Sequence, residues 1–280
     1  MLQSSNPVLS PDQNFEHYYG TMTGGRPVAD AGTASLAGIV NKTGILAVAC
    51  VAFGALGYSL LPKLGGGVLM ISAIAGFVVT LGVGFAIARN PRIAAIGGWI
   101  YAAVQGVFLG ALTALLDGIL ADAIGTEAAA RMGGSLALPA FVITAASLGT
   151  MLGLYKAGIL RPTERFQSVM KVAIGAVMIT YLAGFVLALF GRPIPFISVQ
   201  SAMNGGTEGL IGLGLGLVIF IIASLSLIMD FGRAEEIVAS GAPKTMEWVA
   251  AFGLIVSIAW VYYEAVKLAF RLALIFGNRE

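Results

Sequence analysis

Two carboxylates stand where lipid-spanning sequence tolerates charge least. Glu264 lies in Trp260-Val261-Tyr262-Tyr263-Glu264-Ala265-Val266-Lys267, inside the last long apolar run. Asp230 closes the preceding run, after Leu225-Ser226-Leu227-Ile228-Met229. A charge at bilayer depth costs roughly 2.5–3.5 kcal/mol on insertion scales, so such a residue faces the protein interior, has a partner and marks an ion or proton path. Two carboxylates side by side cannot both ionise cheaply, so the pair holds a shared proton. Such a pair senses pH near neutrality and offers oxygen ligands to a hard cation such as Ca²⁺. Asp230 and Glu264 are therefore the candidate proton-sensing, ion-path and Ca²⁺-ligating residues.

Structural readings compete with this one. Glu264 shares a helix face with Lys267 and Arg271, three and seven residues on. Lys267 could neutralise it, and Arg271 could snorkel to the outer surface. Asp230 could be a solvated helix-end carboxylate paired with Arg233. Depth also separates the acids: counted from Met246, Glu264 is about 27 Å into its segment, while Asp230 lies nearer the cytoplasmic end. They meet only if the helix of Asp230 continues past it, or if the last helix starts in the cytoplasm. Met246-Glu247-Trp248 reads as interfacial, a level that Trp favours. Arg89, in Arg89-Asn90-Pro91-Arg92, is a candidate counter-ion, against an ordinary positive-inside residue. Asp117, Asp122 and Glu127 form an acidic loop that could gather cations or simply be solvated.

The elements that must position these residues are membrane helices. Of 280 residues, 58% are hydrophobic and 11% charged, where a soluble domain carries about 25% charged residues. The chain is an all-α polytopic membrane protein. Seven apolar runs of about 20 residues are expected to span the bilayer, near Thr43–Leu61, Gly67–Ala88, Ile93–Leu116, Leu136–Tyr155, Val169–Phe190, Gly209–Met229 and Trp248–Phe276. Residues 1–42 read as a flexible cytoplasmic tail and 43–280 as the transmembrane domain. Nine Lys/Arg fall on the N-terminal side of these spans and four on the other. That bias predicts a cytoplasmic N-terminus and an external C-terminus. Gly106 and Gly110, Gly149 and Gly153, and Gly212 and Gly216 are candidates for close helix packing.

Several function classes are excluded. A net charge of +2 gives no reason to expect nucleic acid. His17 is the only His and lies in the tail, and Cys50 is the only Cys. That removes His-dependent hydrolysis, intrachain disulfides and nearly all zinc sites. The Gly-x-Gly-Asp pattern of intramembrane aspartyl proteases is absent around Asp230. Gly209–Gly216 lacks the Lys-Ser/Thr ending of a phosphate loop. No enzyme activity and no cofactor are expected.

The runs Leu227-Ile228-Met229-Asp230-Phe231 and Ala242-Pro243-Lys244-Thr245-Met246-Glu247-Trp248-Val249-Ala250-Ala251-Phe252-Gly253-Leu254, with Trp260-Val261-Tyr262-Tyr263-Glu264, resemble the bacterial branch of the Bax inhibitor family. Tyr101-Ala102-Ala103-Val104-Gln105-Gly106-Val107-Phe108-Leu109-Gly110 and Ser4-Ser5-Asn6-Pro7-Val8 are similar as well. The resemblance implies a seven-helix fold with the last helix central and ringed by the other six. It further implies a pH-sensitive Ca²⁺ leak in which acids on the last two helices share a proton and an Arg ending the second helix latches the closed state. Asp230 matches the first acid, Glu264 falls where the second is commonly Asp, and Arg89 is nearest to the latch. Gln105 stands where many relatives carry Glu. The expected function is a cation leak in the bacterial cytoplasmic membrane, gated by protonation of Asp230 and Glu264, with Arg89, Arg233 and Lys267 as latch or counter-ions. The rivals are a proton-coupled transporter and a non-conducting regulator of a membrane protease or quality-control complex.

Overall fold

The computed structural model describes residues 32–64, 66–131, 134–192 and 198–277. The expected Ser4–Val8 motif and most of the expected tail lie outside them. Helix α1 spans Leu36–Leu60 and therefore begins inside the stretch read as tail. Its start is set by Ser35, whose backbone is extended and whose Oγ accepts from Gly38 N at 3.0 Å, as an N-cap should. A short 3₁₀ turn at Leu61–Leu64 leads to α2, Gly66–Arg89. Asn90 caps the next turn, and Pro91 starts it. Then follow α3 (Ala94–Ile124), α4 (Thr126–Arg131), α5 (Ala137–Lys156), α6 (Glu164–Leu189), α7 (Val199–Met203), α8 (Gly206–Ala239) and α9 (Met246–Gly277).

The expected count of seven spanning helices is corrected to six. Among the described residues six helices are long and apolar enough to cross a membrane: Leu36–Lys63, Pro91–Ile124, Ala137–Lys156, Glu164–Leu187, Gly206–Ala239 and Met246–Gly277. The difference is α2, the expected second span. Its apolar run among the described residues is Ile74–Arg89, about 24 Å at 1.5 Å per residue, against the roughly 20 residues that a bilayer core requires. Large apolar side chains such as Val48, Ile71, Ile96, Leu138, Val172, Ile179 and Leu210 face outward. Around helices of this length, such a surface is lipid-facing.

Close approach of backbones organises one side of the bundle. A Cβ on Gly110 would lie 1.9 Å from the Gly54 carbonyl oxygen, one on Gly106 2.3 Å from that of Cys50, and one on Gly57 2.2 Å from that of Val107. Residues 50 and 54 thus meet 106 and 110 in the same order, so α1 and α3 run parallel and α2 returns the chain between them. Gly149 and Gly153 face open space.

The last helix, α9, is the most buried of the six. The ring of six around it is corrected along with the count, since only five other spanning helices remain. Its direct packing is against α1, α3, α5 and α8, with the short α7 near its far end. Leu46, Tyr101, Phe252 and Ile255 form one core cluster, and Leu116, Ala140, Val266 and Phe270 another.

The start of α9 is strapped in place. Gly241, at φ 66°, ends α8 with a Schellman motif: its N–H reaches Val238 O at 3.1 Å, and Ala242 N–H reaches Ile237 O at 3.3 Å. Ala34 N–H then bonds Ala242 O at 2.8 Å, and Lys244 N–H bonds Gly32 O at 3.0 Å. Glu247 is fully buried. It accepts from Ser35 N at 2.9 Å and from Ser35 Oγ, and it pairs with Lys42. Tyr155 donates to Glu235 at 2.6 Å, and Pro162 sits against Gly232, so the connection between α5 and α6 shares this end.

Gly110→Ala is expected to force α1 and α3 apart, because the added carbon meets the Gly54 backbone, which cannot rotate aside as a side chain can. Overpacking of that kind costs about 1–3 kcal/mol. Gly118, on the same helix, faces open space, so Gly118→Ala should be neutral or slightly stabilising. Thermal melts of both variants in detergent check the contrast.

Candidate functional site

Along α9, Ser257, Trp260, Glu264, Lys267 and Arg271 recur at spacings of three and four. At 3.6 residues per turn they fall within an arc of roughly 80° and form one polar stripe on the innermost helix.

Glu264 is fully buried and its charge is matched. Lys267 Nζ donates to Glu264 Oε2 at 2.8 Å and to the Tyr181 hydroxyl oxygen at 2.8 Å. The Tyr181 hydroxyl in turn donates to Glu264 Oε1, and Trp260 Nε1 donates to the same oxygen at 3.2 Å. The ammonium also lies over the rings of Tyr181 and Tyr263, at 4.7 and 4.6 Å from their centroids. Tyr181 comes from the middle of α6, so this closed triangle ties α6 to α9. Of the two partners weighed for Glu264, the contact that forms is the one to Lys267.

Asp230 is held elsewhere. Helix α8 continues to Ala239, well past Asp230, as the depth argument required. Yet Asp230 accepts from Ser257 Oγ, and its Oδ1 lies 3.6 Å from the site of a Cβ on Gly253. Ser257 precedes Glu264 by seven residues, about 10.5 Å of helix rise. The two acids therefore reach the stripe two turns apart, and none of their hydrogen bonds joins them.

The cations expected as latch or counter-ions are dispersed. Among the described residues the ion pairs are Lys42–Glu247 and Lys267–Glu264. Arg233 is exposed and forms no ion pair with Asp230. Arg89 is exposed too, its guanidinium 4.2 Å from the centroid of the Phe85 ring. Arg271 does not snorkel outward: it is buried, and Nη2 donates to Ser198 O at 3.1 Å. The expected acidic loop is corrected: Asp117 and Asp122 lie on α3 and Glu127 on α4, and Asp117 accepts from the Tyr58 hydroxyl at 2.8 Å, Ser135 Oγ at 2.8 Å and Leu136 N at 2.7 Å. It therefore pins the start of α5.

Sequence reasoning missed Tyr181, Ser257 and Trp260. The three-four spacing from Ser257 to Arg271 could have revealed the stripe. Nothing local to Tyr181 points to Glu264. Beside the stripe, a cavity of about 510 Å³ opens between α2, α3, α6 and α9, with Gln105, Tyr181, Tyr263 and Lys267 in its wall. No group of three or more His, Cys, Asp or Glu among the described residues could hold a metal ion. Asp230 with Ser257 supplies few of the 6–8 oxygens that Ca²⁺ takes.

Residues 6–273 match the family described as Bax inhibitor 1 like, nearly the whole chain, and the chain belongs to that family. No curated protein matches it, and no solved structure does.

Glu264→Gln leaves the half-buried Lys267 ammonium without its counter-charge, and Lys267→Met leaves the fully buried Glu264 carboxylate without its own. Each should destabilise by about 3–5 kcal/mol, the range for breaking one side of a buried pair, while Glu264→Gln combined with Lys267→Met should recover most of the loss. Melting temperatures of the three variants check this. Additive losses would show that the pair is not coupled.

Proposed function

We propose that this Bax inhibitor 1 like membrane protein, of the family's bacterial branch, is a pH-sensitive cation leak of the cytoplasmic membrane, with Ca²⁺ as permeant ion. The observation that carries the reading is the polar stripe on α9. Asp230, Glu264, Lys267 and Arg271 all lie within two helices long and apolar enough to cross a bilayer. Ionisable groups there are costly and mark ion or proton paths.

In this reading Asp230 is the first acid a cation meets from the cytoplasmic side. Protonated, it is a neutral partner for Ser257. Deprotonated, it attracts a cation to the start of the stripe. Glu264 is the second acid and Lys267 its competitor: a cation advances only when the ammonium moves aside. Arg233, one turn beyond Asp230, and Arg89, at the end of α2, supply counter-charge at the cytoplasmic mouth. The orientation is N-terminus in and C-terminus out, with α2 returning the chain between the parallel α1 and α3. It is supported by Lys42, Lys156, Arg161 and Lys244 lying on the segments that gather around the start of α9, while α9 ends at the opposite pole.

One observation favours a second reading. Glu264 is so fully satisfied by Lys267, Tyr181 and Trp260 that the site also suits a non-conducting regulator, acting on a membrane protease or quality-control partner.

Purified protein in dye-loaded liposomes separates the two. We expect Ca²⁺ flux that rises with pH, a rise flattened about tenfold in Asp230→Asn, and greater flux at every pH in Lys267→Gln, which frees the Glu264 carboxylate. Flux absent at every pH would favour the regulator. A profile unchanged in Asp230→Asn would remove Asp230 from the path.

A further inference from the structure

The cavity beside the stripe is of ligand size, about 510 Å³, within the roughly 300–1,000 Å³ of small-molecule sites. Its position says where a ligand would come from. Helix α2 packs on α3, and α6 packs on α8. Between α2 and α6, Phe77 stacks on Phe185, with ring centroids 6.4 Å apart. Phe77, Leu81, Met178 and Leu182 line the cavity and are also exposed on the outer apolar surface. The cavity thus borders the lipid-facing side, with the Phe77 and Phe185 rings at that border.

The wall chemistry narrows the occupant. Among the described residues of the lining Lys267 is the only charged one, and Glu264 neutralises it at 2.8 Å. An anionic or cationic head would have to break that buried pair. Gln105 presents an amide that makes no hydrogen bond to the described residues, and so offers one acceptor and two donors to an occupant. Gly76 gives the amide its room: a Cβ there would lie 3.1 Å from Gln105 Oε1. Around it the surface is Phe77, Phe108, Val256 and Trp260.

We propose that this cavity binds a neutral single-chain amphiphile drawn from the bilayer between Phe77 and Phe185, its hydroxyl-bearing head at Gln105 and its chain against Phe108 and Trp260. The site is independent of conduction and stands whether or not the protein leaks ions.

Trp260 is a built-in reporter, since the chain has only three Trp. Full-length protein carrying Trp99→Phe and Trp248→Phe, in nanodiscs of saturated phosphatidylcholine, is titrated with a monoacylglycerol brominated in its chain. Saturable quenching of Trp260 is expected, reversed by unbrominated monooleoylglycerol. Thr80→Phe, which fills the cavity, should abolish the saturable component. Gln105→Leu should weaken it about tenfold, the effect of one lost hydrogen bond to a buried head. Leu210→Phe, on the lipid-facing side of α8, should change nothing. Quenching that grows linearly with probe and is unaffected by competitor or by Gln105→Leu would mean surface contact with lipid alone, and would overturn the proposal. Saturable quenching by a brominated fatty acid at alkaline pH, with none by the monoacylglycerol, would overturn the neutral head.

Discussion

The buried pair of Glu264 and Lys267 constrains the rest of the bundle. Two charges with hydrocarbon around them survive only where each finds its counterpart and the remaining hydrogen-bonding capacity is filled. Tyr181 and Trp260 do the filling, which requires α6 to lie against α9 at that level. It also requires α9 to be innermost, since no other placement removes Glu264, Lys267 and Arg271 from lipid together. The same rule holds at the opposite end of α9. There Glu247 is buried with Lys42, and the chain around residues 32–35 is drawn across the turn between α8 and α9 to complete its hydrogen bonds.

Packing follows from having no hydrophobic drive between helices in lipid. Helices α1 and α3 gain contact by backbone approach at Gly54, Gly57, Gly106 and Gly110, where dispersion contacts replace the burial a soluble core would use. Helix α6 has no such seam and packs mainly on α8. Its hold on α9 runs through Tyr181, by its hydroxyl and by its ring against Tyr263 and Lys267. The cavity of about 510 Å³ opens beside that hold. One side of the bundle is therefore tied by many backbone contacts, the other by a few polar ones.

The sequence was most legible where free energy is spent locally. Charges inside apolar runs stand out by composition alone, so Glu264 and Asp230 were visible, as was Lys267 one turn away. The helices were visible because unpaired backbone cannot face lipid. Partners across helices were not legible, because a tyrosine in the middle of α6 or a serine on α9 costs little by itself and becomes informative only when placed. The same holds for Asp117, which reads as a loop acid but lies on α3 and anchors the segment that enters α5. Arg271 misled differently: snorkelling is the cheaper default near a helix end, but here the Ser198 carbonyl and α7 receive it inside. The seven-span count failed at α2, whose described apolar run is short. Hydropathy could not weigh that shortfall against the neighbouring glycine-rich turn.

The separation of the acids bears on the kind of path the stripe could form. A shared-proton dyad is a single site with two states. Asp230 at Ser257 and Glu264 at Lys267 are two stations on one helix face, about 10.5 Å apart along the axis. Conduction needs sites favourable enough to enter and weak enough to leave. Asp230, held only by a hydroxyl, is the easier of the two to engage. Glu264, held by an ammonium and two ring donors, is the harder. In such a leak the barrier to a cation would lie at Lys267, and the groups that set its height would be the ones that lash α6 to α9. Any motion that carries Tyr181 away would loosen Lys267 and expose Glu264 in a single step. A leak built on this stripe would thus be governed by the seating of α6.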